Sequence, residues 1–126
     1  MRPAAGSLLY QGSVVTPGTT VAAFTAAVNT EITRVVVANT GASARTFDLH
    51  HDVAGTSYAA ANALYNGIAI PANTTITLEA AMLGSGFMLA KTDSMGVDAS
   101  GTDVTFSIYG ITQDVVQQDL GYGTIG

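Results

Sequence analysis

Within the stretch from Asp103 to Thr112 the chain alternates: Val104, Phe106 and Ile108 fall on one side of an extended backbone, and Thr105, Ser107 and Tyr109 on the other. Successive side chains of a strand point to opposite faces, so a hydrophobic period of two requires a sheet with one buried face. Phe106 sits mid-strand on the apolar side, where truncation to Ala is expected to be among the most damaging single changes.

The same grammar recurs along the chain. Short runs rich in Val, Ile, Thr, Phe and Tyr occupy residues 8–15, 20–24, 31–39, 44–51, 58–65, 74–79 and 86–91 as well as 103–112. Turn-forming clusters separate them, among them Thr16-Pro17-Gly18, Asn39-Thr40-Gly41, Ala54-Gly55-Thr56, Ile70-Pro71-Ala72-Asn73 and the run from Asp93 to Thr102. Each supplies residues that tolerate positive φ or a φ fixed by proline. Alanine favours helix over strand, which makes 56–62 the least strand-like of these stretches and leaves a short helix open within 21–29 or 56–64. A train of about eight short strands with such turns predicts an all-β, single-domain antiparallel β-sandwich, jelly-roll-like or barrel architecture over residues 1–112. The glycine-rich stretch 113–126 carries Val115, Val116, Leu120 and Tyr122 and reads as a C-terminal extension or arm.

Composition bears on what such a domain does. Only 10% of the residues are charged against 48% hydrophobic, where ordinary soluble domains carry about 25% charged residues. Hydroxyls, methyls and backbone must therefore make up most of the exterior, a surface suited to being covered by neighbours. A formal charge of −5, with Arg2, Arg34, Arg45 and Lys91 scattered, opposes binding to a phosphate backbone, because that affinity comes from clustered Lys and Arg. The uncharged stretches 3–30 and 53–78 are broken by Pro, Gly, Asn and Thr, so neither reads as a membrane span. No apolar run follows the first residues to suggest a secretory signal, and synthesis in a cytoplasm is expected. With no cysteine there is neither a disulfide framework nor a thiolate metal site.

The candidate chemical motifs are weak in context. Gly121-Tyr-Gly-Thr-Ile-Gly126 spells a dinucleotide-binding pattern without the strand and helix that make one work. His50, His51 and Asp52 suggest a metal site, yet neighbouring strand residues face opposite ways and the two rings do not converge. Asp93, Asp98 and Asp103 lie in a stretch that departs from a calcium-loop pattern and is read as a loop between strands. Asn73-Thr74-Thr75 fits the N-glycosylation pattern but reads as a turn entering a strand. No nucleophile motif and no distinguished carboxylate pair is present, so the expectation is a non-enzymatic protein with no catalytic residue, no metal and no cofactor.

Taken in order, Leu9-Tyr10, Pro17-Gly-Thr-Thr20, Asn39-Thr-Gly41, Thr46-Phe-Asp-Leu49, Ile70-Pro-Ala-Asn-Thr-Thr-Ile-Thr-Leu-Glu79 and Asp103-Val-Thr-Phe-Ser-Ile-Tyr-Gly110 resemble the small all-β structural proteins of tailed bacteriophages. The resemblance spans roughly residues 8–113. It implies a virion component present in many copies, either a capsid-associated decoration or cement protein or part of the neck or tail. On that reading the partners are copies of the chain itself, expected as a homotrimer, and other virion proteins such as the major capsid protein. Nucleic acid and membrane are not partners. Leu8, Leu9, Val115, Val116, Leu120 and Tyr122 are the expected assembly contacts, with the alternative that Leu8 and Leu9 simply open the first core strand. A different reading is a host-glycan-binding module using Tyr58, Tyr65 and Tyr109 as stacking platforms.

Overall fold

Alternation converts directly into two antiparallel sheets in a computed structural model of the chain, which describes residues 7–79 and 87–112. Nine strands follow in order: β1 Ser7–Ser13, β2 Val21–Thr25, β3 Thr30–Asn39, β4 Arg45–Asp52, β5 Ala63–Ile70, β6 Thr74–Glu79, β7 Phe87–Leu89, β8 Ser94–Ala99 and β9 Val104–Thr112. A 3-10 turn at Ala60–Asn62 precedes β5. The first sheet runs β1-β9-β3-β6, with β7 also paired to β3, and the second runs β2-β8-β4-β5.

β6 pairs with Arg34–Asn39 and β7 with Thr30–Ile32, so the two occupy one side of β3 as an interrupted edge strand while β9 fills the other side. Counted that way, the pairs nest: β1 with β9, β2 with β8, β3 with β6 and β7, and β4 with β5. Nested pairing across two facing sheets is the jelly-roll order. Of the three architectures expected from sequence, the sandwich with jelly-roll connectivity is the one adopted.

Both sheets contribute to one core. β3 sends Ile32, Val35 and Val37 inward, β9 sends Val104, Phe106 and Ile108, β4 sends Phe47 and Leu49, and β8 sends Met95 and Val97; all are buried. Phe47 and Phe106 meet edge to face across the sandwich, with ring centroids 6.1 Å apart and planes at 72°. Such pairs add about 0.5–1.5 kcal/mol beyond their area burial.

Two expectations need correction. The stretch from Asp93 to Thr102, read as a loop, contains β8, an interior strand with all six residues buried. Its outward residues Ser94, Gly96 and Asp98 are types common in turns, so the stretch resembles a loop although Met95, Val97 and Ala99 alternate with them, and packing from elsewhere in the chain covers them. The fifth strand, expected at 58–65, begins at Ala63 and runs to Ile70. Side chains of Asp52 and Asn62 bond the backbone of Ser57 and Ala59, and such local side-chain bonds favour turn over strand. Asn73, with φ of 54°, makes the expected turn into β6.

Asn39 fastens one end of the sandwich. Its buried amide nitrogen faces the carbonyls of Ser43 at 2.8 Å, Ile70 at 3.2 Å and Pro71 at 3.1 Å, and its oxygen accepts the Gly41 amide at 3.0 Å. The β3–β4 and β5–β6 turns are thereby held together. Beside them Arg45 donates to Asp103 from Nε at 2.9 Å and from Nη2 at 3.2 Å, a pairing that raises the guanidinium pKa and lowers the carboxyl pKa.

Candidate functional site

The histidine pair lies at the opposite end of the sandwich, on β4. His50 and His51 are opposed to Gly96 and Met95 of β8 respectively, so they do face opposite sides of the sheet. His50 points outward yet is 5% exposed, because residues 53–62 fold back over it. Its Nδ1 lies 3.0 Å from Asn62 Oδ1, which also accepts the Ala59 amide, while Asn62 Nδ2 donates to Asp52 Oδ1 and the Ser57 carbonyl. The amide orientation this network sets makes His50 Nδ1 the donor.

Tyr58 closes the loop. Its ring lies against Gly96, where any Cβ would meet ring carbons at 2.7 Å, and tilts against His50 at 5.8 Å between centroids. The Ser94 hydroxyl donates to the Gly55 carbonyl, so the Tyr58 hydroxyl donates to Ser94 Oγ at 2.7 Å. Burial, the larger cause, and the charge of Asp52 raise the Tyr58 pKa.

His51 points toward Asp93, with Nε2 to Oδ2 at 3.1 Å. Asp93 also accepts the amides of Ala54 at 3.0 Å and Ala90 at 3.1 Å. Loss of water raises a carboxyl pKa, but the bonds from His51, Ala54 and Ala90 and the attraction of the imidazole outweigh it, leaving the Asp93 pKa below its usual value. The geometry is that of a hub gathering the loops after β4 and β7. The serine beside it, Ser94, is engaged with Tyr58 and the Gly55 carbonyl on the other face of the sheet.

The three aspartates Asp93, Asp98 and Asp103, weighed in the sequence against a calcium-loop pattern that they do not fit, are drawn apart. Asp93 lies at the histidine end, Asp103 pairs with Arg45, and Asp98 faces outward on β8 directly opposite Asp48 of β4. A pocket of about 180 Å³ is lined by Gly18, Thr46, Asp48, Asp98, Ala99 and Ser100. Backbone amides occupy both carboxylates: Gly67 donates to Asp48 at 2.6 Å, and Gly18 and Ala99 donate to Asp98 at 3.0 and 2.8 Å. Among the described residues no three His, Cys, Asp or Glu side chains gather at one point, and no helix is long and apolar enough to cross a membrane.

The expected assembly residues divide. Leu8 is 50% exposed and Leu9 packs against the core, as neighbouring strand residues should; a register shift between Leu8 and Tyr10 inserts an extra residue into β1, and Tyr10 packs against the core as well. Val115, Val116, Leu120 and Tyr122 lie outside the described residues, as does the glycine hexapeptide. Further large apolar side chains, not singled out from sequence, stand in water: Val15, Val53, Leu64, Ile68 and Met88. Leu64 and Ile68 belong to β5, an edge strand with no charged residue; β1 and β2, also edges, have none either. The signal for Leu64 and Ile68 was the apolar run 63–70 itself, obscured by placing the strand five residues early.

Of the aromatic platforms, Tyr58 is engaged as above and Tyr109 lies beneath the Arg34 guanidinium, 4.6 Å from ring centroid to Cζ. Tyr65 packs against the core. Comparison with known proteins returns no match: no protein family, no curated protein and no solved structure matches this chain.

Proposed function

We propose that this chain is a non-enzymatic structural component of a tailed-bacteriophage virion, a capsid-associated decoration or cement protein that works by contact with copies of itself and with the shell beneath. The observation that carries the reading is the state of its edges. Natural sheets guard exposed edge strands with charges, lysine or proline as well as with bulges; β1, β2 and β5 have bulges but no charge, lysine or proline, and Leu8, Leu64 and Ile68 stand exposed along them. The few charges near them are already committed: Arg45 to Asp103, Asp93 to His51, Asp98 to backbone amides. A solitary soluble domain gains nothing from such edges, whereas a subunit with neighbours on several sides does.

The jelly-roll order supports the reading only as an analogy, since that order also serves lectins and cupins. Hydrogen-bonding side chains in the polar clusters are turned toward loops and backbone, which is structural work. The test is copy number. Particles purified by density gradient from the source should contain this chain at hundreds of copies per virion. A dozen or fewer would move it to the neck or tail, and its absence from particles would overturn the proposal.

A further inference from the structure

Exposed edges differ in how ready they are to accept another strand. β1 carries a register shift at Leu8/Tyr10, β2 at Ala22/Phe24, and β5 at both Phe47/Leu49 and Leu49/His50 of its pairing with β4. Bulges twist an edge away from further pairing and are a standard guard against it. Among the described residues β6 has no such guard. It pairs with β3 residue for residue from Arg34↔Glu79 to Asn39↔Thr74 with no shift, and its sequence, Thr-Thr-Ile-Thr-Leu-Glu, holds neither proline nor lysine. Its only charged residue is the last.

We infer that β6 is a docking edge for a second copy of this chain, pairing antiparallel with its own counterpart about a twofold axis at Ile76. The inference rests on the self-association proposed above and adds its site and symmetry. It replaces, at this edge, the threefold ring expected from sequence.

Self-complementarity selects both occupant and register. Antiparallel pairing about a twofold keeps the faces matched only if residues of equal parity oppose each other. With Ile76 opposite the partner's Ile76, Thr75 falls opposite the partner's Thr77 and Thr77 opposite the partner's Thr75. Ile76 is half-buried against the core, and the pairing covers its remaining exposed side with an identical β-branched neighbour. Thr75 and Thr77 stand over Ala38 and Val36 on the outer face of the sheet, where two Thr–Thr pairs form. Such β-branched and Thr–Thr pairs are favourable cross-strand combinations. Glu79 lies beyond the paired span, so no like charges oppose.

The chain has no cysteine, which makes introduced thiols clean reporters. Directly opposed residues bring Cα atoms to about 4.5–5.5 Å, within disulfide range, while the diagonal neighbours lie near or beyond its limit of roughly 7 Å. An equimolar mixture of T75C and T77C chains should therefore form interchain disulfide at least about fivefold more than either chain alone. T75K/T77K should dissociate the pair, since each lysine then meets a lysine, and T75K/T77E should restore it by placing lysine opposite glutamate. Preferential cross-linking in T75C alone would overturn the register. Native mass spectra showing undiminished association of T75K/T77K would overturn the β6 interface while leaving self-association standing. A wild-type chain that never associates would overturn both.

Discussion

Gly96 and Tyr58 are coupled closely enough for a double-mutant cycle to test the loop–sheet packing that covers β8. A Cβ at Gly96 would sit 2.7 Å from Tyr58 Cδ1 and Cε1 and 2.8 Å from Cγ, against an ordinary carbon contact of about 3.5–4.0 Å. Gly96 lies in an extended interior strand without positive φ, so Gly96→Ala suffers no backbone strain and the clash must be relieved by moving the ring. A Tyr side chain buries about 150–250 Å² when covered; for this half-buried ring about 100 Å² at roughly 25 cal/mol/Å² is about 2.5 kcal/mol. Its hydrogen bond to Ser94 adds about 1 kcal/mol. Tyr58→Ala should thus cost about 3.5 kcal/mol. Gly96→Ala should cost about 2 kcal/mol, because ring displacement is partly offset by the roughly 0.5–1 kcal/mol by which alanine is preferred over glycine within a strand. Once Tyr58 is alanine the clash is gone, and adding Gly96→Ala should be neutral or slightly stabilising. Urea unfolding followed by circular dichroism measures all four corners. Additivity of the two single changes to within about 0.5 kcal/mol would refute the packing of Tyr58 on Gly96.

Phe106→Ala, which empties the space facing Phe47, should lower unfolding free energy by about 3–5 kcal/mol in the same assay, and Thr105→Ala on the outer face by less than about 1 kcal/mol. Asn39→Leu should cost about 2–3 kcal/mol, read as a lower urea midpoint with unchanged slope, because the Ser43, Ile70 and Pro71 carbonyls lose their shared donor. The Asp93 pKa is lower folded than unfolded, so its stabilisation is complete above the unfolded value and is lost as pH falls through the folded one. Thermal midpoints measured downward from about pH 5 should fall more steeply for wild type than for Asp93→Asn, with Asp103 supplying a similar slope in both.

Where the sequence alternates in hydropathy with polar residues outside, it was legible. β9, β3 and β6 lie within a residue of their expected bounds, and their inward residues are the core. β8 was hidden because its outer residues Ser94, Gly96 and Asp98 are turn-forming types that local pattern assigns to a loop, while their cover, Tyr58 and Gly18, comes from elsewhere in the chain. β5 was displaced because turn-forming bonds from Asp52 and Asn62 override the extended tendency of the residues before Ala63. Opposite facing of His50 and His51 followed from strand geometry alone, but their partners Asn62 and Asp93 come from loops whose path no local pattern encodes. The bulge in β1 was hidden, and with it the fact that the neighbours Leu9 and Tyr10 both pack against the core.

Sedimentation velocity of the full chain from micromolar to millimolar concentration addresses most directly whether these edges exist to be covered by sister molecules. The account predicts that the weight-average mass climbs with concentration to at least twice the 12.8 kDa of a single chain. A single 12.8 kDa species across the whole range would contradict it.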